Sequence, residues 1–258
     1  MRSVAHRSAK ASHYNQDAKH YDAFNEENSR VINRALESIL KKHKVKTVLD
    51  VTCGTGSQVF WLTHAGFDVV GGDINACMLA IAKKKAAEQE LAVKFVKGDM
   101  RKLKVGKFGA VIAIFNAIGH LTINDFAKTI RNVAHNLNDN GLFIFDIFDA
   151  DYLRHKDNIT KFTIDCLKTT DDVTARVIQY STIDDNGIMA SFTTAYEQKT
   201  SQKPKMTTSA QTLQVYSASE LRDLLNNNGF KVVKLCAIDG SKFMPLRTDR
   251  ILTIARKK

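Results

Sequence analysis

A short apolar run, Val45 to Val51, breaks off at Gly54-Thr55-Gly56 and passes at once into a stretch of helical character that stops at Gly66. A run of this kind, ending in glycines, reads as a buried parallel strand feeding a helix. The alternation then recurs. Residues 67–73 (FDVVGGD) read as a second strand and 74–89 as an amphipathic helix, with apolar residues at helical spacing. Residues 92–99 and 108–115 read as strands three and four. Ile123 to Asn138 reads as a helix closed by the turn Asn138-Asp139-Asn140-Gly141, and residues 141–148 (GLFIFDIF) as strand five. Strand and helix alternating in this way predict an α/β fold with a doubly wound, mostly parallel sheet.

After Asp149 the pattern changes. Lys161 to Thr169, Val173 to Ile183, Ile188 to Gln198 and Thr207 to Tyr216 are β-prone, and Asp185-Asn186-Gly187 is a hairpin signal. Ile188, Ala190, Phe192, Thr194 and Tyr196 alternate onto one face. Residues 150–216 are therefore expected to form an antiparallel β insertion on the sheet, not a separate domain. Ser217 to Glu220 is a capping box opening a helix that stops at Gly229. Lys231 to Ile238 and Arg250 to Ala255 complete seven core strands, the last two able to close as a hairpin. The expected organisation is an N-terminal helical lid (1–44), a core (45–149), the insertion (150–216) and a C-terminal helix with the last two strands (217–258).

Composition narrows the class. The chain has 258 residues, 44% of them hydrophobic and 25% charged, which is ordinary for a globular α/β domain with or without an inserted subdomain. No apolar run approaches 18 residues, which argues against a transmembrane helix. The N-terminus is polar and basic without an apolar stretch, so a secretory signal is not expected. Four scattered cysteines without a CxxC, and eight scattered histidines without an HExxH, predict reduced thiols, a cytoplasmic setting and no metal.

The chemistry concentrates at the ends of the predicted strands. Glycines between a buried strand and a helix let a ligand approach the backbone at the positive helix N-terminus. A nicotinamide dinucleotide fingerprint would put a third glycine where Val59 stands, and no GKS or GKT follows to make a Walker loop. Asp73 ends strand two about 20 residues past Gly54, where an acid can accept hydrogen bonds from a ribose diol. Taken alone Asp73 is equally a helix-capping residue; beside the glycine loop the ribose role is favoured. Asp99, in Gly98-Asp99-Met100-Arg101, could accept from an adenine amino group between Met100 and Ile74, or be a simple turn acid. His120, just beyond strand four, is the best-placed base, and a turn-packing role explains it equally well. Tyr14 and Tyr21 read either as lid aromatics able to face a cation or as core residues of the first helix.

The segments VLDVTCGTG, VVGGDIN, VKGDMRKL and AVIAIFNAIGHL resemble, in order, the successive motifs of class I S-adenosylmethionine-dependent methyltransferases, with their Rossmann-like fold. Within that family the chain is similar to small-molecule N-methyltransferases of the amino-sugar or glycine type. The resemblance implies S-adenosylmethionine as cofactor, S-adenosylhomocysteine as product, and no metal. It implies that Asp50 and the loop Thr52 to Gly56, including Gly54 and Thr55, hold the methionine moiety. Asp73 would take the ribose, Asp99 and Met100 the adenine with Ile74 and Met78 beside them, and Phe115 the methionine end. Tyr21 is placed with the cofactor and His120 with catalysis. Thr52 departs from the glycine or alanine common at that position. The expected acceptor is a small molecule, methylated at an amine nitrogen. The net charge of +11 suits an anionic or nucleotide-linked acceptor and also leaves a nucleic acid open. Against a nucleobase substrate, FNAIGH replaces the Asn/Asp-Pro-Pro-aromatic motif of enzymes that methylate exocyclic amines. An RNA or protein methyltransferase, or a cofactor-binding module without turnover, are the alternatives.

Overall fold

The computed structural model describes residues 5–12, 21–170 and 172–258, and for residues 21–28 the backbone alone. In chain order the first half contains α1 (Tyr21–Lys42), β1 (Thr47–Asp50), α2 (Ser57–His64), β2 (Asp68–Asp73), α3 (Ala76–Glu88), β3 (Lys94–Lys97) and β4 (Phe108–Ala113). A 3-10 turn (Ala117–His120), α4 (Ile123–Asn136) and β5 (Leu137–Phe148) follow. β1 to β5 are mutually parallel where they pair, and they lie in the order β5-β4-β1-β2-β3. The chain thus winds outward from β1 in one direction and, after β3, returns to the other side of β1. That reversal leaves a crevice at the C-terminal ends of β1 and β4.

Strand residues alternate between two cores. Val111, Ala113, Phe143, Phe145 and Ile147 face α4, whose Phe126, Ile130 and Val133 are fully buried. Ala110, Ile112, Leu142 and Ile144 face the other way, toward Leu36 and Leu40 of α1, Val59 and Leu62 of α2, and Leu79 of α3. Burial on both faces is what a parallel sheet covered by helices requires, and it explains why these strands read as continuous apolar runs. Val59 is fully buried in this packing, so the position where a dinucleotide fingerprint needs glycine is filled by core.

The predicted turn at Asn138 to Gly141 is built differently from expectation. β5 begins at Leu137 and runs through it as an irregular strand, with Phe108 opposite Leu137 but Ala110 opposite Leu142. The extra residues bulge out with Asn140 left-handed (φ 60°).

Beyond β5, a short α5 (Ala150–Arg154) and a 3-10 segment (His155–Phe162) precede β6 (Ile164–Thr169), β7 (Val173–Ile183), β8 (Ile188–Lys199) and β9 (Lys205–Gln214). These four strands form an antiparallel sheet of their own, in the order β6-β7-β8-β9, separate from the seven-stranded one. It rests on the body through a small cluster of Leu153, Ile159, Met189 and Val215. The chain then re-enters the main sheet through α6 (Ala218–Asn227), β10 (Phe230–Cys236) and β11 (Arg250–Lys257), with β11 antiparallel to both β5 and β10.

The capping box at α6 is formed as expected. The Ser217 hydroxyl accepts from the Glu220 N–H at 3.2 Å and the Glu220 carboxylate accepts from the Ser217 N–H at 2.7 Å. Two otherwise orphaned helix donors are satisfied reciprocally. Ser217→Ala is expected to cost about 1 kcal/mol, read by calorimetry as a melting temperature lower by about 2–4 °C.

Candidate functional site

A cavity of about 100 Å3, open at its mouth, lies at the crevice, and its walls come from the loops after β1, β2, β3 and β4. Of the residues singled out from the sequence, Thr52, Gly54, Asp73, Ile74, Met78, Asp99, Met100, Phe115 and His120 all line it. Asp50, Thr55 and Gly56 stand behind this wall. The Asp50 carboxylate is buried at the end of β1, one oxygen accepting from the Thr52 N–H at 3.0 Å and the other without a partner. Thr55 is buried, and Gly56 takes φ 96° to start α2, where a Cβ would come within 2.6 Å of the Phe60 ring. The side chain of Tyr21, and Tyr14 altogether, lie outside the described residues.

The glycine loop and Asp73 are one unit. The Gly54 N–H donates to one Asp73 oxygen at 2.8 Å and the Asn75 N–H to the other at 2.8 Å. Gly54 takes φ 52°, and a Cβ there would meet nothing within 4 Å, so the missing side chain leaves open space at the cavity wall. The Thr52 hydroxyl is buried without a partner. Asn75 caps α3, accepting from the Cys77 and Met78 N–H groups and so holding Met78 in the wall.

The third acid differs from its sequence expectation in its partner. Asp99 lines the cavity, but Arg101 grips both its oxygens, with Nε at 2.9 and 3.0 Å, Nη2 at 2.6 Å, and its N–H adding a further bond at 2.9 Å. Burial works against the Asp99 charge, yet Arg101 outweighs it and holds the carboxyl below its ordinary value. Arg101 also reaches Asp125, which accepts from the Ser8 hydroxyl at 2.6 Å. Asn132 and Asn136 of α4 hold this loop from beneath through the Met100 and Leu103 carbonyls.

Ser8 belongs to a strap that composition alone did not single out. Residues 5–12 cross the cavity, with Ala9, Lys10 and Ala11 in its wall. The Ala9 N–H donates to the His120 carbonyl at 2.9 Å. His6 bridges the Leu121 carbonyl (Nε2, 3.0 Å) and the Thr212 hydroxyl of β9 (Nδ1, 2.8 Å). α1 itself is packed into the body through Ile32, Leu36 and Leu40.

At the end of β4 the backbone takes an uncommon course. Phe115 and Asn116 are both left-handed (φ 65° and 54°), a conformation costing about 1–3 kcal/mol for each such residue. Buried Asp146 of β5 accepts from both of their N–H groups, at 2.6 and 3.2 Å, and is ion-paired with buried Arg250 of β11. Neither Asp146 nor Arg250 was legible as a site residue, because each sits inside a run that reads simply as strand.

With this geometry in view, residues 48–141 match a family model described as a methyltransferase domain. The chain carries a methyltransferase domain. Among curated relatives it is similar to a glycine/sarcosine N-methyltransferase of Parasynechococcus marenigrum, 35% identical over 119 residues, covering 45% of this chain and 42% of the relative. It is also similar to the dTDP-3-amino-3,6-dideoxy-alpha-D-glucopyranose N,N-dimethyltransferase of Streptomyces fradiae, 33% identical over 128 residues, 46% of this chain and 49% of the relative. The match thus spans less than half of the length of these relatives. An S-adenosylmethionine-dependent methyltransferase structure from Clostridium acetobutylicum superposes with a TM-score of 0.76 over 95% of this chain and 98% of that one, at 18% identity. That likeness extends the shared fold to the antiparallel sheet and the C-terminal strands.

Burial, with a smaller contribution from the nearby Asp73 charge, pushes the Asp50 carboxyl up to about 7. Burial raises Asp149 to about 7 as well. A folded value above the unfolded one means that the folded state keeps a proton the unfolded chain has released. The associated stability is complete below about pH 4 and is lost as the pH rises through about 7. The melting temperature of the ligand-free protein is therefore expected to fall across that window. Asp50→Asn, which retains an acceptor for the Thr52 N–H, is expected to reduce the fall, leaving the part due to Asp149; an unchanged slope would count against a buried, proton-holding Asp50.

Proposed function

We propose that the protein is an S-adenosylmethionine-dependent methyltransferase acting on a small molecule, with an amine nitrogen as the acceptor. The observation that carries this is the cavity at the crevice, where a glycine turn is hydrogen-bonded to the acid at the end of β2. The wall fits such a cofactor. Each Asp73 oxygen accepts from a backbone N–H and keeps a lone pair for a ribose diol; Thr52 and Asp50 each have a buried oxygen without a partner; Gly54 leaves room against the backbone. Ile74, Met78 and Met100 supply apolar walls for the adenine, with Asp99 at their edge, and Phe115 flanks the methionine end.

When bound, the cofactor supplies a methyl group already activated on a sulfonium centre. The residues of this chain then have to align a nucleophile and keep water out. The strap of residues 5–12 covers the mouth, and His120 lies in the wall where it can hold a proton released by an acceptor amine. The acceptor side is assembled from the strap, the 3-10 turn and the β8–β9 face on which Thr212 meets His6. Lys10 in the wall and the net charge of +11 favour an acceptor that is anionic or nucleotide-linked. Four free cysteines suit a cytoplasmic setting.

The test is transfer of labelled methyl from S-adenosylmethionine into fractionated cell extract, with enzyme-free and nuclease-treated controls. Label in the low-mass fraction is expected. Label that is lost with nuclease would assign an RNA substrate, label in protein a protein substrate, and binding without any transfer a cofactor-binding module. Asp73→Ala is expected to weaken cofactor affinity by about tenfold to a hundredfold, the range for losing hydrogen bonds to a charged group. Equal affinity by calorimetry would remove the ribose assignment. His120→Ala with full turnover would reduce that histidine to packing.

A further inference from the structure

Asp146 stands where an apolar residue would be expected. It is fully buried near the end of β5, on the face that carries Leu142 and Ile144 into the core. Its carboxylate accepts from two consecutive backbone donors, the N–H groups of Phe115 and Asn116. Both residues have φ in the region that L side chains avoid, and neither is glycine. Successive backbone N–H groups in a turn can point toward one acceptor and make a concave anion site. Here the anion is the protein's own.

The charge is balanced from the neighbouring strand. In the β5–β11 register Leu252 faces Asp146 and Arg250 faces Phe148, so Arg250 is the diagonal neighbour of Asp146 on the same face. Its Nε donates to Asp146 at 3.1 Å and its Nη2 completes the ion pair. The guanidinium lies 5.7 Å from the ring centroids of both Phe115 and Phe148. A buried ion pair is seldom more stabilising than well-packed apolar residues of similar volume. What an apolar pair could not do is accept from the two donors of a strained turn and set a cation over its ring.

We infer that Asp146 and Arg250 are positioning residues for methyl transfer: together they hold Phe115 and Asn116 in the left-handed turn that sets the Phe115 ring into the cavity wall. The inference rests on reading that cavity as the cofactor site. Asn at 146 would turn an amide donor toward either a turn N–H or Arg250. The turn then loses an acceptor and relaxes toward negative φ, and the ring moves.

Two measurements test this on the full chain. A 4-fluorophenylalanine placed at Phe115 is expected to give one sharp fluorine resonance in the parent protein and a shifted or broadened one in Asp146→Asn, with no cofactor present. Calorimetry with S-adenosylmethionine is expected to show an affinity about tenfold lower in Asp146→Asn. Adding Asn116→Gly to that variant should recover part of the loss, because glycine adopts positive φ freely. Should Asp146→Asn fail to fold, Arg250→Lys keeps the charge, removes the guanidinium from beside the Phe115 ring, and is expected to move the fluorine resonance and weaken binding. A lower melting temperature with an unmoved resonance and unchanged affinity would overturn the inference and leave the pair a structural one. A parent protein that binds no cofactor would overturn the cofactor reading, while the fluorine measurement would still decide the positioning.

Discussion

A parallel sheet whose connections reverse direction beside one strand has to leave a gap there. The helices on either side of the reversal cross to opposite faces and cannot fill the space above it. In this protein the reversal falls at β1, between β4 and β2, and the candidate site depends on it. Because β1 to β4 all point the same way, their C-terminal loops converge on one edge and bring together the glycine turn, Asp73, Asp99 and Phe115 from distant parts of the chain. The antiparallel β11 extends the same logic. Its first residue lies at the edge where the parallel strands end, which is how Arg250 comes to meet Asp146 and the turn after β4.

The acids around the cavity fall into two electrostatic groups. Among the described residues Asp50 and Asp73 have backbone N–H partners and no cation beside them, and burial raises both carboxyls. Asp99 and Asp125 are already compensated: Arg101 bridges them, and Lys128 and Ser8 complete the set. The two groups occupy different loops, and the second is a neutral clamp in which Ser8, Asp125, Arg101 and Asp99 join the N-terminal strap, α4 and the β3 loop.

Several elements were readable from the chain because their determinants are local. The strand–helix alternation to residue 148, the capping box at Ser217 and Glu220, the Asp185-Asn186-Gly187 hairpin and the glycine break at Gly54 to Gly56 each depend on a few adjacent residues. The elements that escaped depend on partners far along the chain. Asn138 to Gly141 has the composition of a free turn, yet strand pairing with β4 draws it into β5 as a bulge. Residues 150–162 lack a clear period and fold as short helical turns because Leu153 and Ile159 find Met189 and Val215. The strap shows nothing in its composition; His6, Ser8 and Ala9 gain meaning from Thr212, Asp125 and His120.

The sequence by itself determined the element types, the parallel character of the core and the identity of the loop residues at strand ends, since periodicity and glycine placement act within a single turn or strand. It also carried the ordered motifs by which the methyltransferase domain is recognisable. Tertiary structure decided how each carboxylate is partnered. Asp73 and Asp99 look alike in the chain, each standing at or just past a strand end before a turn. Arg101 folds back on Asp99, while among the described residues backbone N–H groups are what reach Asp73, and that difference follows from side-chain direction and burial, which no spacing in the sequence encodes.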